Sequence, residues 1–532
     1  MKLLFVSLLV VFLASAAVPA GSQACAACHA AIYRSFLRTP MGQTSGKIDD
    51  AAANALSVRA EFRDSAGQFA YGVGRDAAGF YFDFRQLGAQ QPMQGRRQLQ
   101  YFVGSGTAAR GYLFQVDGFL YEAPVTYYRS SASWNAAPGF AGFDYPYLTR
   151  PILPGCLSCH ASRIQWIAGT QNAYAEPAFL EGRIACERCH GEGSEHIASG
   201  KPMINPAQLP AAERDSICEQ CHLSGEIRVP KAGMDDQSFR PGARLADMAI
   251  VFVRSGSSLQ RKVTSHVENL AQSACKRASG DKMWCGTCHD PHVVPAASEK
   301  ASYFRAKCLT CHQPADCRAL QSSRQANGDD CVACHMPHNP VSDVDHVVYT
   351  DHSIRKRPMA TSEVPPPTAE LVPFAGGTAA ARDLGLAYAM VALREQNGIY
   401  RDRAFRLLQQ AAAQGSADVQ ALAYLAEFYR DRGDDSHALP LYQKVWQMDP
   451  SQYAAAAALG AYAMQRGNLE QAIYLWNQAL AINPSMVLVR LNLAKAFLRT
   501  GKTAQASQTL QKALDINPAF QEARDLLGQI RK

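Results

Sequence analysis

Seven Cys-x-x-Cys-His pentapeptides lie between residues 25 and 335 and constrain this 532-residue chain more than any other feature. They take up fourteen of the sixteen cysteines. In such a pentapeptide the two thiols form thioethers to a porphyrin edge, and the adjacent histidine becomes the proximal ligand of a haem iron. A zinc site does not require histidine directly after the second cysteine. We therefore expect seven covalently bound c-type haems.

The motifs assign the attachment and proximal residues directly. The predicted attachment cysteines are the two of each motif: Cys25, Cys28, Cys156, Cys159, Cys186, Cys189, Cys218, Cys221, Cys285, Cys288, Cys308, Cys311, Cys331 and Cys334. The predicted proximal ligands are His29, His160, His190, His222, His289, His312 and His335.

Six further histidines in the same region are the candidates for the opposite face of each iron. They are His196, His266, His292, His338, His346 and His352. His437 lies far downstream, and we expect it on the surface. Six histidines leave one of seven irons unserved, so either a methionine completes that site or one iron keeps an open position. Met41 is the candidate methionine, because it follows the first motif on a Thr-Pro-Met-Gly turn.

The N-terminus predicts export. Met1 and Lys2 precede an apolar run and then small residues, which is typical of a secretory signal peptide over residues 1–20. No later segment is apolar enough to span a membrane. We expect the periplasm, with the outer surface as the alternative. The net charge is +7 with no basic run, so nucleic acid is not an expected partner.

Residues 55–130 have a strand pattern between the first two motifs. Phe69, Tyr71 and Val73 alternate with polar or small residues, and Asp117-Gly118 is a two-residue hairpin signal. We expect an antiparallel β insertion of five or six strands that caps the first haem. The functional alternative is a pocket beside that haem lined by Arg110, Tyr121, Tyr127, Tyr128, Arg129 and Trp134.

A 34-residue period marks the C-terminal part. It is carried by three sets of equivalent residues: Gly433, Gly467 and Gly501; Ala438, Ala472 and Ala506; Pro450, Pro484 and Pro518. This is the tetratricopeptide period. A weaker copy holds Ala392, Ala404 and Ala411, and a helix over residues 521–532 is expected to cap the stack. An unrelated helical bundle is the alternative.

These patterns predict four segments and one fold class. The segments are a signal peptide (1–20), a seven-haem domain (21–355), a Pro-rich linker (356–379) and a repeat domain (380–532). We expect few strands after Cys156. The fold class is a mostly α and irregular multihaem cytochrome c domain with a small antiparallel β insertion, followed by an α-solenoid of tetratricopeptide repeats.

Cys275 and Cys317 remain outside the motifs. Because they are even in number and export is expected, a Cys275–Cys317 disulfide is the default prediction. A reactive thiol is the alternative.

The element Cys186-Glu-Arg-Cys189-His190-Gly-Glu-Gly-Ser-Glu-His196 resembles one in multihaem cytochromes c related to the tetrahaem cytochrome of nitrifying bacteria. The Cys-His-Asp-Pro-His292 and Cys-His-Met-Pro-His338 elements and Thr350-Asp351-His352 are similar to that group too. With the repeats, the chain resembles exported multihaem cytochromes that carry tetratricopeptide domains. The resemblance implies that His196 is a distal ligand. The Cys-x-x-Cys-Lys motif of pentahaem nitrite reductases is absent, which disfavours that activity.

Three functions remain open from the sequence. The first is electron transfer along a haem chain, with the repeats docking a redox protein partner. The second is an oxidoreductase of nitrogen or sulfur compounds, whose first haem is a five-coordinate catalytic site. The third is a scaffold in which the repeats dominate. Whether the chain is an enzyme is undecided, and electron transfer is favoured.

Overall fold

The structure is a computed structural model that describes residues 20–48, 59–64, 67–90, 92–140, 143, 145–256, 262, 264–341, 348–356, 366 and 368–531. The predicted signal peptide up to residue 19 and the predicted ligand His346 lie outside the described residues.

Two antiparallel sheets fill the space between the first two motifs. Their strands are β1 (Ser45–Lys47), β2 (Ala60–Arg63), β3 (Phe69–Asp76), β4 (Gly79–Gln86), β5 (Gln94–Gln98), β6 (Tyr101–Val103), β7 (Ala109–Val116), β8 (Phe119–Tyr128) and β9 (Ser133–Ala136). One sheet has the order β2-β3-β4-β5 and the other β1-β6-β7-β8-β9. The antiparallel architecture is confirmed, but the β region is larger than the small insertion predicted.

The predicted alternation builds the core between these sheets. Phe69 and Val73 of one sheet pack in a single buried cluster with Phe114 and Tyr121 of the other. The Asp117-Gly118 turn joins β7 to β8, with φ of 50° and 84° at its two residues. Positive φ at both positions is what a two-residue hairpin turn of matching twist requires.

Short elements carry the motifs themselves. The helices are α1 (Ser22–Cys25), α2 (Ala30–Phe36), α3 (Pro154–Ser158), α4 (Glu187–His190), α5 (Ser194–Ser199), α6 (Ala211–His222), α7 (His266–Ala271), α8 (Ala274–Ser279), α9 (Cys285–Cys288), α10 (Lys300–Cys308), α11 (Gln321–Ala326) and α12 (Cys331–His335). Strands are more frequent here than predicted: β10 (Ala161–Trp166), β11 (Tyr174–Gly182), β12 (Ile227–Pro230), β13 (Ala249–Arg254), β14 (His338–Pro340) and β15 (Val348–Thr350).

The nine C-terminal helices form the predicted solenoid. They are α13 (Ala381–Glu395), α14 (Gly398–Ala413), α15 (Val419–Asp431), α16 (Asp435–Met448), α17 (Tyr453–Gln465), α18 (Leu469–Ile482), α19 (Val487–Arg499), α20 (Thr503–Ile516) and α21 (Gln521–Ile530). Gly433, Gly467 and Gly501 each end a first helix with φ between 73° and 78°. The equivalent alanines, including Ala472, are fully buried at the helix contact.

The predicted linker is partly built into the fold. Within it, β16 (Leu371–Pro373) pairs with β13, which also pairs with β12. This sheet packs on the first repeat, since Phe252 of β13 and Leu386 of α13 are fully buried in one cluster. The Tyr388 hydroxyl accepts the Leu371 amide at 3.0 Å. The solenoid and the motif-bearing region therefore share a core.

Charged groups reinforce this junction. Arg254, which is 9% exposed, pairs with Glu395 of α13 and with Glu226, which also pairs with Arg394 at 3.0 Å. A buried charge is tolerated only when an opposite charge pairs with it, so removing one member of this group would destabilise the junction.

The far end of the solenoid returns to the β region. The Gln171 amide, at the tip between β10 and β11, donates to the Ile482 carbonyl at 3.1 Å. Tyr121 of β8 and Ser485 join their hydroxyls at 3.1 Å. Arg97 of β5 donates to the Asp515 carbonyl at 2.8 Å. The solenoid is thus held at both ends.

None of the helices in the described ranges is long and apolar enough to cross a membrane.

We predict that Phe252→Ala destabilises the solenoid as well as the sheet. Truncating a fully buried phenylalanine costs about 3–5 kcal/mol, and this ring packs directly on the first repeat. Hydrogen exchange at α13 amides should accelerate accordingly. Leu488→Ala, at a site 64% exposed on α19, should change the same amides little. Unchanged α13 exchange in Phe252→Ala would mean that the two regions are independent.

Candidate metal centres

Histidines from distant motifs face each other in pairs. The ring centroids of His29 and His196 lie 6.2 Å apart with planes 21° from parallel. Those of His190 and His292 lie 5.9 Å apart, also at 21°. Each pair joins a predicted proximal ligand to a predicted distal one.

This separation fits an iron between the rings. A metal–imidazole bond of about 2 Å on each side of one iron places the two ring centroids about 6 Å apart. Rings in van der Waals contact would lie closer. The pairs therefore have room for a haem iron with an imidazole on each face, the bis-histidine arrangement that suits electron transfer.

Four more histidines cluster behind the fifth motif. His289 and His352 are 6.2 Å apart, whereas His266 lies 5.1 Å from His222 and 4.8 Å from His352. The spacing favours His289 with His352, which leaves His266 for His222.

Burial keeps this cluster uncharged. Burial first, and then the neighbouring His222, His352 and His289, lower the pKa of His266 to about 3. The pKa of His289 falls to about 4 for the same reasons, burial first and then His352 and His222. Neutral imidazole is the form that binds a metal.

Hydrogen bonds at Nδ1 orient several of these rings. His190 Nδ1 lies 2.8 Å from the Ile204 carbonyl, His196 Nδ1 2.8 Å from that of Lys201, and His352 Nδ1 2.7 Å from that of Thr350. His335 Nδ1 likewise meets the Arg355 carbonyl at 2.9 Å. Because a carbonyl only accepts, Nδ1 carries the proton and Nε2 is left free for a metal.

The motif cysteines also meet across motifs. The thiols of Cys25 and Cys186 are neighbours, as are those of Cys159 and Cys221. The thiols of Cys218 and Cys285 and those of Cys308 and Cys331 form two further neighbouring pairs. Each contact joins two different motifs. The attachment edges of the two porphyrins would therefore be adjacent.

The β region packs on the second motif, and the expectation that it caps the first stays a prediction. Leu157 and Ala161, inside and directly after the second motif, are buried with Tyr101, Leu113 and Tyr174. The physical reason is local: β10 begins directly after His160, so the second motif is continuous with this core.

The predicted tyrosine–arginine pocket is not formed as expected. Tyr121 and Tyr128 are buried in the sheets, and the Tyr128 hydroxyl donates to the Ala136 carbonyl. Arg110 stacks on Phe102, while Trp134 packs against Tyr112 and Tyr127. Arg129 lies exposed in the turn after β8. These residues complete the fold of the β region.

His160 is surrounded differently from the paired histidines. Its Nδ1 lies 2.9 Å from the Thr44 hydroxyl, and burial lowers its pKa. Among the described residues, no other histidine ring stacks or makes edge contact with it. Within the described residues, no histidine is placed as a second ligand at the second motif.

Met41 and the sixth and seventh motifs are less constrained. Met41 lies in a single 3-10 turn, and its carbonyl accepts the Ile184 amide. The ring across from His29 is that of His196. Ligation by Met41 is untested, and His196 is the favoured ligand across from His29. His312 and His338 are exposed, and His338 Nδ1 lies 3.4 Å from the Thr350 hydroxyl.

The predicted Cys275–Cys317 disulfide is wrong, since both residues are free thiols. Cys275 lies in α8, near the thiols of Cys288 in the fifth motif and Cys308 in the sixth. Cys317 is exposed after the 3-10 turn at Pro314–Asp316.

Sequence reasoning missed the residues that orient the rings. Thr44 and Ser45 hold His160, and the carbonyls of Ile204 and Arg355 hold His190 and His335. A backbone carbonyl leaves no residue signature. Thr44 had one weak signal, its position directly after the turn that contains Met41.

Comparisons with known proteins cover two parts of the chain. Residues 147–191, which hold the second and third motifs, match the family described as cytochrome c554 and c-prime. Residues 463–530 match a tetratricopeptide repeat family. No curated protein matches the chain.

Solved structures similar to the chain include MamA, at 22% identity over 26% of this chain and 80% of that one, with a TM-score of 0.23. Another is YrrB, described as a tetratricopeptide protein with an unusual peptide-binding site. It is 17% identical over 28% of this chain and 74% of that one, with a TM-score of 0.24.

We predict that His196→Ala converts one haem from low to high spin, because it removes the imidazole across from His29. Met41→Ala should leave the spin states unchanged. Electron paramagnetic resonance of the oxidised protein measures both, with the exposed His437→Ala as control. A high-spin signal gained in Met41→Ala, and not in His196→Ala, would assign the ligand to Met41.

Proposed function

We propose that the chain is an exported c-type cytochrome that carries seven haems and transfers electrons between them. The observation that carries this proposal is the pairing of imidazoles from separate motifs at the spacing of two ligands on one iron. The match of residues 147–191 to a cytochrome family supports it. When bound, each haem supplies an iron that accepts or releases one electron.

The chain's own residues supply three ligand pairs at this spacing: His29 with His196, His190 with His292, and His289 with His352. In this proposal His266 serves His222, although the two rings are in closer edge contact at 5.1 Å. Two spare histidines, His338 and His346, are assigned to the sixth and seventh motifs. Among the described residues, no histidine ring lies against His160.

The cysteine contacts support a continuous route. The first motif adjoins the third through Cys25 and Cys186, the fourth adjoins the fifth through Cys218 and Cys285, and the sixth adjoins the seventh through Cys308 and Cys331. Cys189 lies near Cys218, which places the third motif beside the fourth, and Cys288 lies near Cys311, which places the fifth beside the sixth. The second motif adjoins the fourth and forms a branch.

The solenoid is the candidate docking surface for a redox protein. Tetratricopeptide stacks present extended binding surfaces and carry no redox chemistry of their own. Here the stack is fixed to the motif-bearing region at both ends, so a docked protein would stand at a set position relative to the route. A purely scaffolding role is the weaker alternative, because it leaves the paired histidines unexplained.

A second candidate function is redox catalysis at the second motif. Cys156 has Glu122 and Arg150 as electrostatic neighbours, and these two pair at 3.3 Å. Burial raises the pKa of Glu122, and Arg150 opposes that shift. If the iron of a haem at the second motif had a free position, a carboxyl near the attachment edge would be available as a proton donor for the reduction of a small nitrogen or sulfur compound.

We expect seven haems per chain when the protein is matured in an exporting host. Haemochrome absorbance and intact mass should both give seven. Cys156→Ser/Cys159→Ser should give six, because it removes one pair of thioethers. Cys275→Ser, outside the motifs, should keep seven. A haem-free chain would refute the proposed function.

We also expect a high-spin signal of about one haem in the oxidised protein, because no histidine ring among the described residues lies across from His160. The signal should disappear in Cys156→Ser/Cys159→Ser, and the reduced protein should bind carbon monoxide once. An entirely low-spin spectrum would eliminate the catalytic candidate and leave electron transfer standing.

A further inference from the structure

His160 differs from four other predicted ligands in what its Nδ1 meets. His190, His196, His335 and His352 all meet backbone carbonyls. His160 Nδ1 instead has the side-chain hydroxyl of Thr44 as its partner at 2.9 Å, and the Thr44 backbone also lies near the ring. Thr44 is 8% exposed, so water does not readily substitute for this contact.

The neighbouring residue fixes the same histidine from its backbone. Ser45 Oγ donates to the His160 carbonyl at 2.5 Å and accepts the Arg183 amide at 3.1 Å. Thr44 is itself held, because its carbonyl accepts the Gly104 amide at 2.7 Å. Thr44 thus contacts the ring of His160 and Ser45 contacts its main chain. Both residues belong to the β region rather than to the motif.

The acceptor at Nδ1 governs how strongly a histidine donates to a metal. A good acceptor draws the N–H proton and makes Nε2 more basic, which stabilises the ferric state and lowers the reduction potential. A hydroxyl is a weaker acceptor than a peptide carbonyl. A histidine held by a hydroxyl should therefore donate less electron density than its carbonyl-held counterparts.

We propose that Thr44 is a positioning residue for the second haem, which holds His160 by a weak acceptor and so sets that iron at a higher reduction potential. This rests on the proposed function, since it requires haem at the second motif. Because of its higher reduction potential, the haem at the second motif would be the one that is reduced first. This holds whether or not it also reacts with a small molecule.

The test is a pair of substitutions with opposite predicted signs, made in the full-length haem-loaded protein. Thr44→Val keeps the side-chain shape and removes the acceptor, so one midpoint potential should move in the positive direction. Thr44→Asn offers a carboxamide oxygen, a stronger acceptor, and should move the same potential in the negative direction. Thr44→Ser keeps the hydroxyl and should restore the original value. Optical redox titration follows all three.

The outcomes separate this inference from the proposed function. Seven haems with no potential moved by Thr44→Val or Thr44→Asn would overturn the role of Thr44 and leave the cytochrome intact. Equal shifts of one sign in all three variants would indicate general disturbance and would also overturn it. If Thr44→Val loses haem, the Thr44→Asn variant decides: a negative shift of the potential supports the role of Thr44, and a positive shift overturns it. Absence of haem from the unsubstituted protein would instead refute the proposed function.

Discussion

Much of this structure depends on one geometric constraint: two imidazoles must approach to about 6 Å and stop there. His29 and His196, or His190 and His292, come from elements that are far apart in the chain. The helices that carry them are short, and α4 and α5 bury no residue completely. Packing among such pieces is too sparse to specify this approach. The proposed haems would complete it, as the apolar body that fills the space between the rings.

Repeats and hairpins were predictable because their signals are local. The 34-residue spacing of Gly433, Gly467 and Gly501 reports a turn that each repeat makes independently of the rest of the chain. Likewise, Asp117-Gly118 defines its hairpin from two residues alone. The positions of the motif residues were equally local, and so the candidate ligands could be named from sequence.

Which segments pack against each other could not be predicted, since this depends on contacts between residues far apart in the chain. The β region was assigned to the first motif because it follows it, yet Leu157 joins its core to the second. Residues 356–379 were expected to be a linker because of their prolines, yet Leu371 adds a strand to the sheet that β12 and β13 form. The contact of His29 with His196 is of the same kind.

The two attachments of the solenoid have a consequence for how such a chain can change. An open repeat array tolerates gain or loss of a unit, because each repeat contacts only its neighbours. Here the sheet containing Phe252 holds the first repeat, while Gln171 and Arg97 hold the C-terminal ends of α18 and α20 at Ile482 and Asp515. Adding or deleting 34 residues would carry those helix ends past their partners. The number of repeats is therefore tied to the span of the β region and the motif-bearing region.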